Sequence, residues 1–274
     1  MKSRCSRSIL LLCALAGVVL ALAQPAVPRE FYEGRRSLDE QRLTFCLWAG
    51  SPTKELDLRV GAELANVLLL EADFFEIDRV LFSEDQFWET LFIHLTDRCD
   101  ALLGFRLEPI TLPEWLTVTR PYFEGLHVLA VTDPSIGSLR DVPTGEFVGS
   151  RLYTEADYHL LAHLQTMAAG DRWRRLPFDS TERQVDLLLE GTIAGAIVWE
   201  PALHQVLTSR GATEQVRSVS LDPLPEVTTQ VAMVLRSDEV LLRRLLDEAL
   251  YHMQASGALA VVVAEVGIPG RVPR

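Results

Sequence analysis

The residues of this chain that could act on a solute stand where apolar runs stop. Trp48 and Ser51 follow the run at 43–47, Phe105 and Arg106 follow 101–104, Ser150 and Arg151 follow 146–149, and Trp199 and Glu200 follow 195–198. Trp115 and Tyr122 lie in a stretch broken by Pro109, Pro113 and Pro121. Aromatic rings stack on a ligand or take up a partner's side chain. A guanidinium such as that of Arg106 or Arg151 grips a carboxylate with paired bonds, and the carboxylate of Glu200 can take an amine. This is binding chemistry. Catalytic signatures are missing: Val148-Gly149-Ser150-Arg151 lacks a nucleophile elbow, and the sequence has no phosphate loop, no dinucleotide fingerprint and no H-E-x-x-H. His159 and His163, four apart on a predicted helix, make half a metal site without a third ligand. They are read as a helix face. Arg172, Arg174 and Arg175 around Trp173 are read as an exposed loop, with an anion or partner contact as the sharper alternative. No catalytic residue, metal or cofactor is expected.

Binding residues at strand ends need strands to carry them. Apolar runs at 43–48, 74–82, 101–104, 126–131, 146–150, 195–199 and 228–235 alternate with segments of helical spacing at 56–70, 84–95, 154–167, 179–190 and 238–255. Ser83 and Thr154 are placed as helix caps. This alternation predicts an α/β architecture. Two long strands, near 122–131 and 228–235, read as crossings between lobes. Ligands of such folds bind outside the carboxyl ends of the parallel strands, here between the lobes.

The totals restrict the function class. The 274 residues suffice for one large domain or two lobes. Lys2, Arg4 and Arg7 precede an apolar run at 9–23 that is too short for a membrane span and ends in Ala21-Leu22-Ala23. This reads as a secretory signal peptide. The formal charge is −12; without those three cations the mature part is near −15, which excludes nucleic acid as a partner. Export leaves Cys46 and Cys99 in an oxidising compartment. A bridge between them and a pair of buried thiols both fit, because neighbouring parallel strands can hold two cysteines beyond the roughly 7 Å that a disulfide spans.

The order of Asp100-Ala101-Leu102-Leu103-Gly104, Thr119-Arg120-Pro121-Tyr122-Phe123 and a following apolar strand resembles the type 2 periplasmic solute-binding fold. Together with Ser138-Leu139-Arg140-Asp141-Val142 and the terminal segment 259–269, it resembles solute-binding protein family 3. Cys46, Arg98-Cys99-Asp100, Thr119-Arg120-Pro121-Tyr122 and Val198-Trp199-Glu200-Pro201 are most similar to the branch associated with quinoprotein (methanol) dehydrogenases, the MxaJ and XoxJ type. The resemblance implies an α/β, two-lobed periplasmic-binding-protein type 2 fold with two crossover strands. Its expected layout is a signal peptide at 1–23, an arm at 24–42, lobe I from 43–125 and 229–274, and lobe II from 126–228. It further implies an exported, non-catalytic accessory partner of a periplasmic quinoprotein dehydrogenase. The alternative is a receptor that hands a small solute to an ABC permease. Amino-acid carriers of the family clamp the ligand carboxylate with an arginine in the region here reading 111–116, and its amine with an aspartate where Trp199 stands. Neither is present, so a free polar amino acid is not the expected ligand.

Overall fold

The computed structural model describes residues 42–78 and 84–273. The expected signal peptide, the arm up to residue 41 and the Ser83 cap lie outside the described residues. From residue 42 onward, each apolar run forms a strand whose burial follows its neighbours. The first strand, β1 (Arg42–Trp48), is buried on both faces from Leu43 through Leu47, because β2 (Glu71–Ile77) and β3 (Ala101–Arg106) flank it in parallel and helices cover both sides. Alternate residues feed two cores. Leu43, Phe45 and Leu47 pack with Leu56, Val60 and Leu64 of α1 (Lys54–Val67), and with Leu246 and Leu250 of α6 (Val240–Ala255). On the opposite face, Cys46 packs with Leu91 and Leu95 of α2 (Glu84–Asp97).

The remaining strands are β4 (Leu116–Val118), β5 (Phe123–Val131), β6 (Phe147–Arg151), β7 (Arg174–Phe178), β8 (Gly195–Trp199), β9 (Arg217–Val219) and β10 (Thr228–Arg236). They join in the order β2-β1-β3-β10-β5-β8-β6-β7, with β4 on β10 and β9 on β5. β5 and β10 are the crossing strands. The first half of β5 pairs antiparallel with β10, and its second half pairs with β8 and β9. Around β8 and β6 pack α3 (Glu155–Thr166), α4 (Thr181–Leu189) and α5 (Glu200–Arg210). The architecture is therefore the expected two-lobed α/β fold with a mixed sheet.

Several local expectations change. The second strand starts earlier than expected, at Glu71, and is described to Ile77; the part of the expected run at 79–82 lies outside the described residues. The basic stretch read as an exposed loop contains β7, because its backbone pairs with β6. Trp173 is buried and its indole donates to the Val142 carbonyl at 3.0 Å, while Arg174 lies over the Phe147 ring at 3.9 Å. Gly257, at φ +81°, ends α6 as expected, but the chain re-enters a helix at once as α7 (Ala258–Val266). Cys46 and Cys99 are bridged. Cys99 sits where the chain turns from α2 into β3, with its Cα 5.6 Å from that of Cys46, inside the limit that left the pairing open. Asp100 secures that turn by accepting from the Thr44 amide at 2.7 Å. No single helix among the described residues is long and apolar enough to cross a membrane.

Candidate functional site

Each lobe carries a buried aspartate in the first turn of the helix that follows its leading strand, where the helix dipole favours negative charge. In the first lobe this is Asp57. Thr53 Oγ1 donates to its Oδ2 at 2.8 Å, and the Tyr122 hydroxyl donates to its Oδ1 at 2.5 Å. Tyr122 in turn accepts from the Gly104 amide at 2.7 Å. The network ties Gly104 of β3 and Tyr122, just before β5, to the start of α1. Gly104 is required here: its φ is +74°, and an added Cβ would collide with Asp57 Oδ2. The partners of this carboxyl are neutral hydroxyls rather than cations. Complete burial pushes it up to about 7, against the opposing pull of the Tyr122 and Thr53 hydroxyls.

The second lobe solves the same problem with charge. Asp157 is buried, accepts from Ser150 Oγ at 2.5 Å, and is gripped by Arg175 through two bonds of 2.7 and 2.8 Å. Thr154 caps the helix as predicted, accepting from the Asp157 amide at 3.2 Å. The basic cluster thus serves the interior through Arg175, while Arg172 donates to the Met167 carbonyl at 2.8 Å. His159 approaches Glu155 at 3.4 Å, and His163 stacks on Trp173 with centroids 5.7 Å apart. Among the described residues no group of three potential ligands is placed to hold a metal.

Between the strand ends the lobes touch. Gln205 of α5 donates to the carbonyls of Gly50 and Ser51 at 3.3 Å each. Arg106, at the end of β3, lies 5.5 Å above the Trp199 ring at the end of β8. Its Nε stands 3.9 Å from Glu108 Oε1. Burial raises the Glu108 carboxyl above its ordinary value, while the charges of Arg106 and Arg151 lower it and that of Glu155 raises it. Arg106 and Arg151 stand at the ends of β3 and β6. His127 lies in β5 beneath them. Its Nε2 meets Thr229 Oγ1 at 2.9 Å, and burial together with Arg106 lowers its pKa to about 4, so it is neutral at physiological pH.

The structure redistributes the residues expected to line the cleft. Arg106 and Ser51 are at the contact between lobes, and Arg151 is the half-buried last residue of β6. Trp199 reaches it only through Arg106, being 4% exposed and packed edge-on against Phe123 at 6.4 Å. Glu200 is half-buried as the first residue of α5. Tyr122 and Ser150 are fully buried and do not face the cleft; their hydroxyls are needed by Asp57 and Asp157. Phe105 is buried too, against Trp88. Trp48 stacks on Phe87 at 5.4 Å and Trp115 meets Phe92 edge-on at 5.1 Å, so both pack against α2. Sequence reasoning missed Asp57, Glu108, His127 and Gln205. Asp57 carried a signal: with Val60 and Leu64 it occupies the apolar helical spacing of α1, where an acid has no place without partners.

No family model and no curated relative matches the chain. Solved structures do. The second Venus-flytrap domain of BvgS from Bordetella pertussis matches with a TM-score of 0.61 at 16% identity, over 88% of this chain and 99% of that one. The second substrate-binding domain of Lactococcus lactis GlnP, in an open conformation, matches with a TM-score of 0.59 at 12% identity, over 83% and 96%. An ABC uptake transporter substrate-binding protein from Streptococcus pneumoniae with bound histidine gives 0.55 at 15% identity, over 82% and 91%. At these identities the likeness establishes the fold: a two-lobed periplasmic binding protein of type 2.

Proposed function

We propose that this chain is an exported, non-catalytic solute-binding protein whose cleft takes a small carboxylate-bearing solute and presents it to an ABC permease. The observation that carries the reading is the meeting of the lobes at their strand ends, where the Arg106 guanidinium of β3 lies 5.5 Å over the Trp199 ring of β8 and Gln205 donates to the Gly50 and Ser51 carbonyls. A guanidinium group at a contact between lobes couples anion binding to lobe closure. Solved structures of the same fold support the receptor role, since amino-acid transporter binding proteins are among them. Free α-amino acids fit less well. The position of the expected amine-pairing aspartate is held by Trp199, whose ring is packed into the core rather than offered to a ligand. The proposed lobe boundaries fall at 125/126 and 228/229, within the crossing strands. Thermal-shift screening against small carboxylates and the twenty amino acids tests the reading: a carboxylate without an α-amine should stabilise the protein. Stabilisation by an amino acid alone would reverse the ligand class.

A second reading makes the chain an accessory partner of a periplasmic quinoprotein dehydrogenase. It rests on Cys46, Arg98-Cys99-Asp100, Thr119-Arg120-Pro121-Tyr122, Trp199-Glu200-Pro201 and the missing amino-acid clamp. In the structure Cys46 and Cys99 form the disulfide, Asp100 holds the turn before β3 and Tyr122 joins the Asp57 network, so these four have structural roles that need no partner. The receptor reading therefore takes precedence. Co-purification with a quinoprotein dehydrogenase, abolished by a surface variant at Glu200, would restore the accessory reading.

A further inference from the structure

The loop that carries β1 into α1 is held from two sides. From the other lobe, Gln205 donates to its Gly50 and Ser51 carbonyls. From within, a row of side chains runs inward from Ser51. Ser51 Oγ lies 3.1 Å from Thr53 Oγ1, a pair in which either hydroxyl can donate, and it also accepts from the Thr53 amide at 3.3 Å. Thr53 Oγ1 lies 2.8 Å from Asp57 Oδ2, and Asp57 Oδ1 meets the Tyr122 hydroxyl at 2.5 Å. Thr53, Asp57 and Tyr122 are buried, while Ser51 is half-buried at the carboxyl end of β1. In this class of fold that end of a strand is where ligands enter.

The inner end of the row has a fixed polarity. The Gly104 amide can only donate, so the Tyr122 oxygen accepts there and its single hydrogen goes to Asp57 Oδ1. A proton held by Asp57 is therefore on Oδ2, against Thr53. With Asp57 ionised, Thr53 donates to Oδ2 and Ser51 donates to Thr53, so the Ser51 hydrogen points inward. With Asp57 protonated, Oδ2 donates to Thr53 and Thr53 donates to Ser51 Oγ. The Ser51 hydrogen is then released to an acceptor outside the row. We infer that Ser51, Thr53 and Asp57 form a hydroxyl relay in which the proton of the buried carboxyl sets the direction of both hydroxyls, so that Ser51 offers a hydrogen to an acceptor in the cleft only while Asp57 is protonated.

Burial gives the relay its pH range. It pushes the Asp57 carboxyl up to about 7, against the Tyr122 and Thr53 hydroxyls, so the hydroxyls reverse around neutrality. Tyr122, the titratable group in contact with it, is held well above its ordinary value by burial and by the Asp57 charge, and stays neutral. The cations at the start of α1 are engaged elsewhere: Lys54 is 2.6 Å from Glu76 and Arg59 is 3.7 Å from Glu55. The consequence for a solute rests on the reading of the cleft as a carboxylate site. A carboxylate that accepts from Ser51 needs Asp57 protonated, so its binding takes up a proton from solvent wherever Asp57 was ionised beforehand.

The test follows the Asp57 carboxyl carbon by NMR in aspartate-labelled protein, its resonance assigned by its loss in Asp57→Asn. The wild-type midpoint should lie near 7. Ser51→Ala removes the acceptor that Thr53 needs when Asp57 is protonated, and should lower the midpoint by roughly half a unit to one unit. Thr53→Val cuts the relay: the midpoint should rise, because the ionised form loses a donor, and adding Ser51→Ala should change nothing further. Thr53→Ser should restore the response to Ser51→Ala. A midpoint that ignores Ser51→Ala, or that moves equally in the Thr53→Val background, overturns the inference. With acetate, benzoate and succinate as probes, wild-type affinity should fall by about tenfold per pH unit above neutrality, and Ser51→Ala should flatten that dependence. Carboxylate binding that is level through neutrality overturns the inference and leaves the receptor reading in place. No binding of any probe, with the midpoints moving as expected, counts against the receptor and leaves the relay standing.

Discussion

Replacing Asp57 with asparagine isolates the proton at the base of the first lobe. The carboxyl is completely buried, and its folded pKa is about 7 against an ordinary value of 3.8. The unfolded chain releases this proton near its ordinary value, while the folded chain keeps it to about 7. Between those limits the native state binds more protons than the unfolded state. Stability contributed by this group is thus full in acid, is lost as pH rises toward 7, and is level above it. Roughly three pH units at about 1.4 kcal/mol each give a loss on the order of 4 kcal/mol. The asparagine side chain of the variant cannot titrate, and any penalty from its amide is nearly independent of pH. Urea unfolding of both proteins, with the disulfide intact, should therefore show the unfolding free energy of the wild type falling relative to Asp57→Asn by that amount between about pH 4 and pH 8. A difference that stays flat, or one that grows in favour of the wild type as pH rises, would refute the assignment of a protonated, uncompensated carboxyl.

Other outcomes follow from packing and charge. The double change Cys46→Ser and Cys99→Ser opens a loop of 53 residues, and should lower the unfolding free energy by about 2–4 kcal/mol; an unchanged urea midpoint would contradict it. An added Cβ at Gly125 would stand 2.6 Å from Trp199 Nε1 and 2.7 Å from Pro201 Cγ, so Gly125→Ala should cost about 1–3 kcal/mol in chemical denaturation. Arg175→Ala leaves Asp157 buried without its cation and should cost about 3–5 kcal/mol, where a loss below about 1 kcal/mol would show that Ser150 and the helix end suffice.

The fold was legible because its strands are short apolar runs closed by glycine or by a polar strand end, and because two long strands interrupt the alternation. What remained hidden depends on pairing between distant segments. β7 contains two arginines and a proline, so no apolar run announces it; its pairing with β6 makes it a strand. The disulfide depended on how closely the chain turns from α2 into β3, which spacing alone does not give. For the site, the position of a residue at a strand end was readable, but the direction of its side chain was not. Arg106 reaches across to the Trp199 ring of the other lobe. Ser150 and Tyr122 turn inward because buried aspartates require hydroxyl donors. Glu108 escaped notice because a charged residue beside a proline reads as ordinary loop.

Titration calorimetry of the protein with small mono- and dicarboxylates, repeated on Arg106→Ala and Arg151→Ala, is the most direct test of the proposed binding role. The expected result is saturable binding of at least one carboxylate that lacks an α-amine, weakened at least tenfold by either substitution, a loss of about 1.4 kcal/mol or more. No heat from any carboxylate, or binding that survives removal of both arginines, would contradict it.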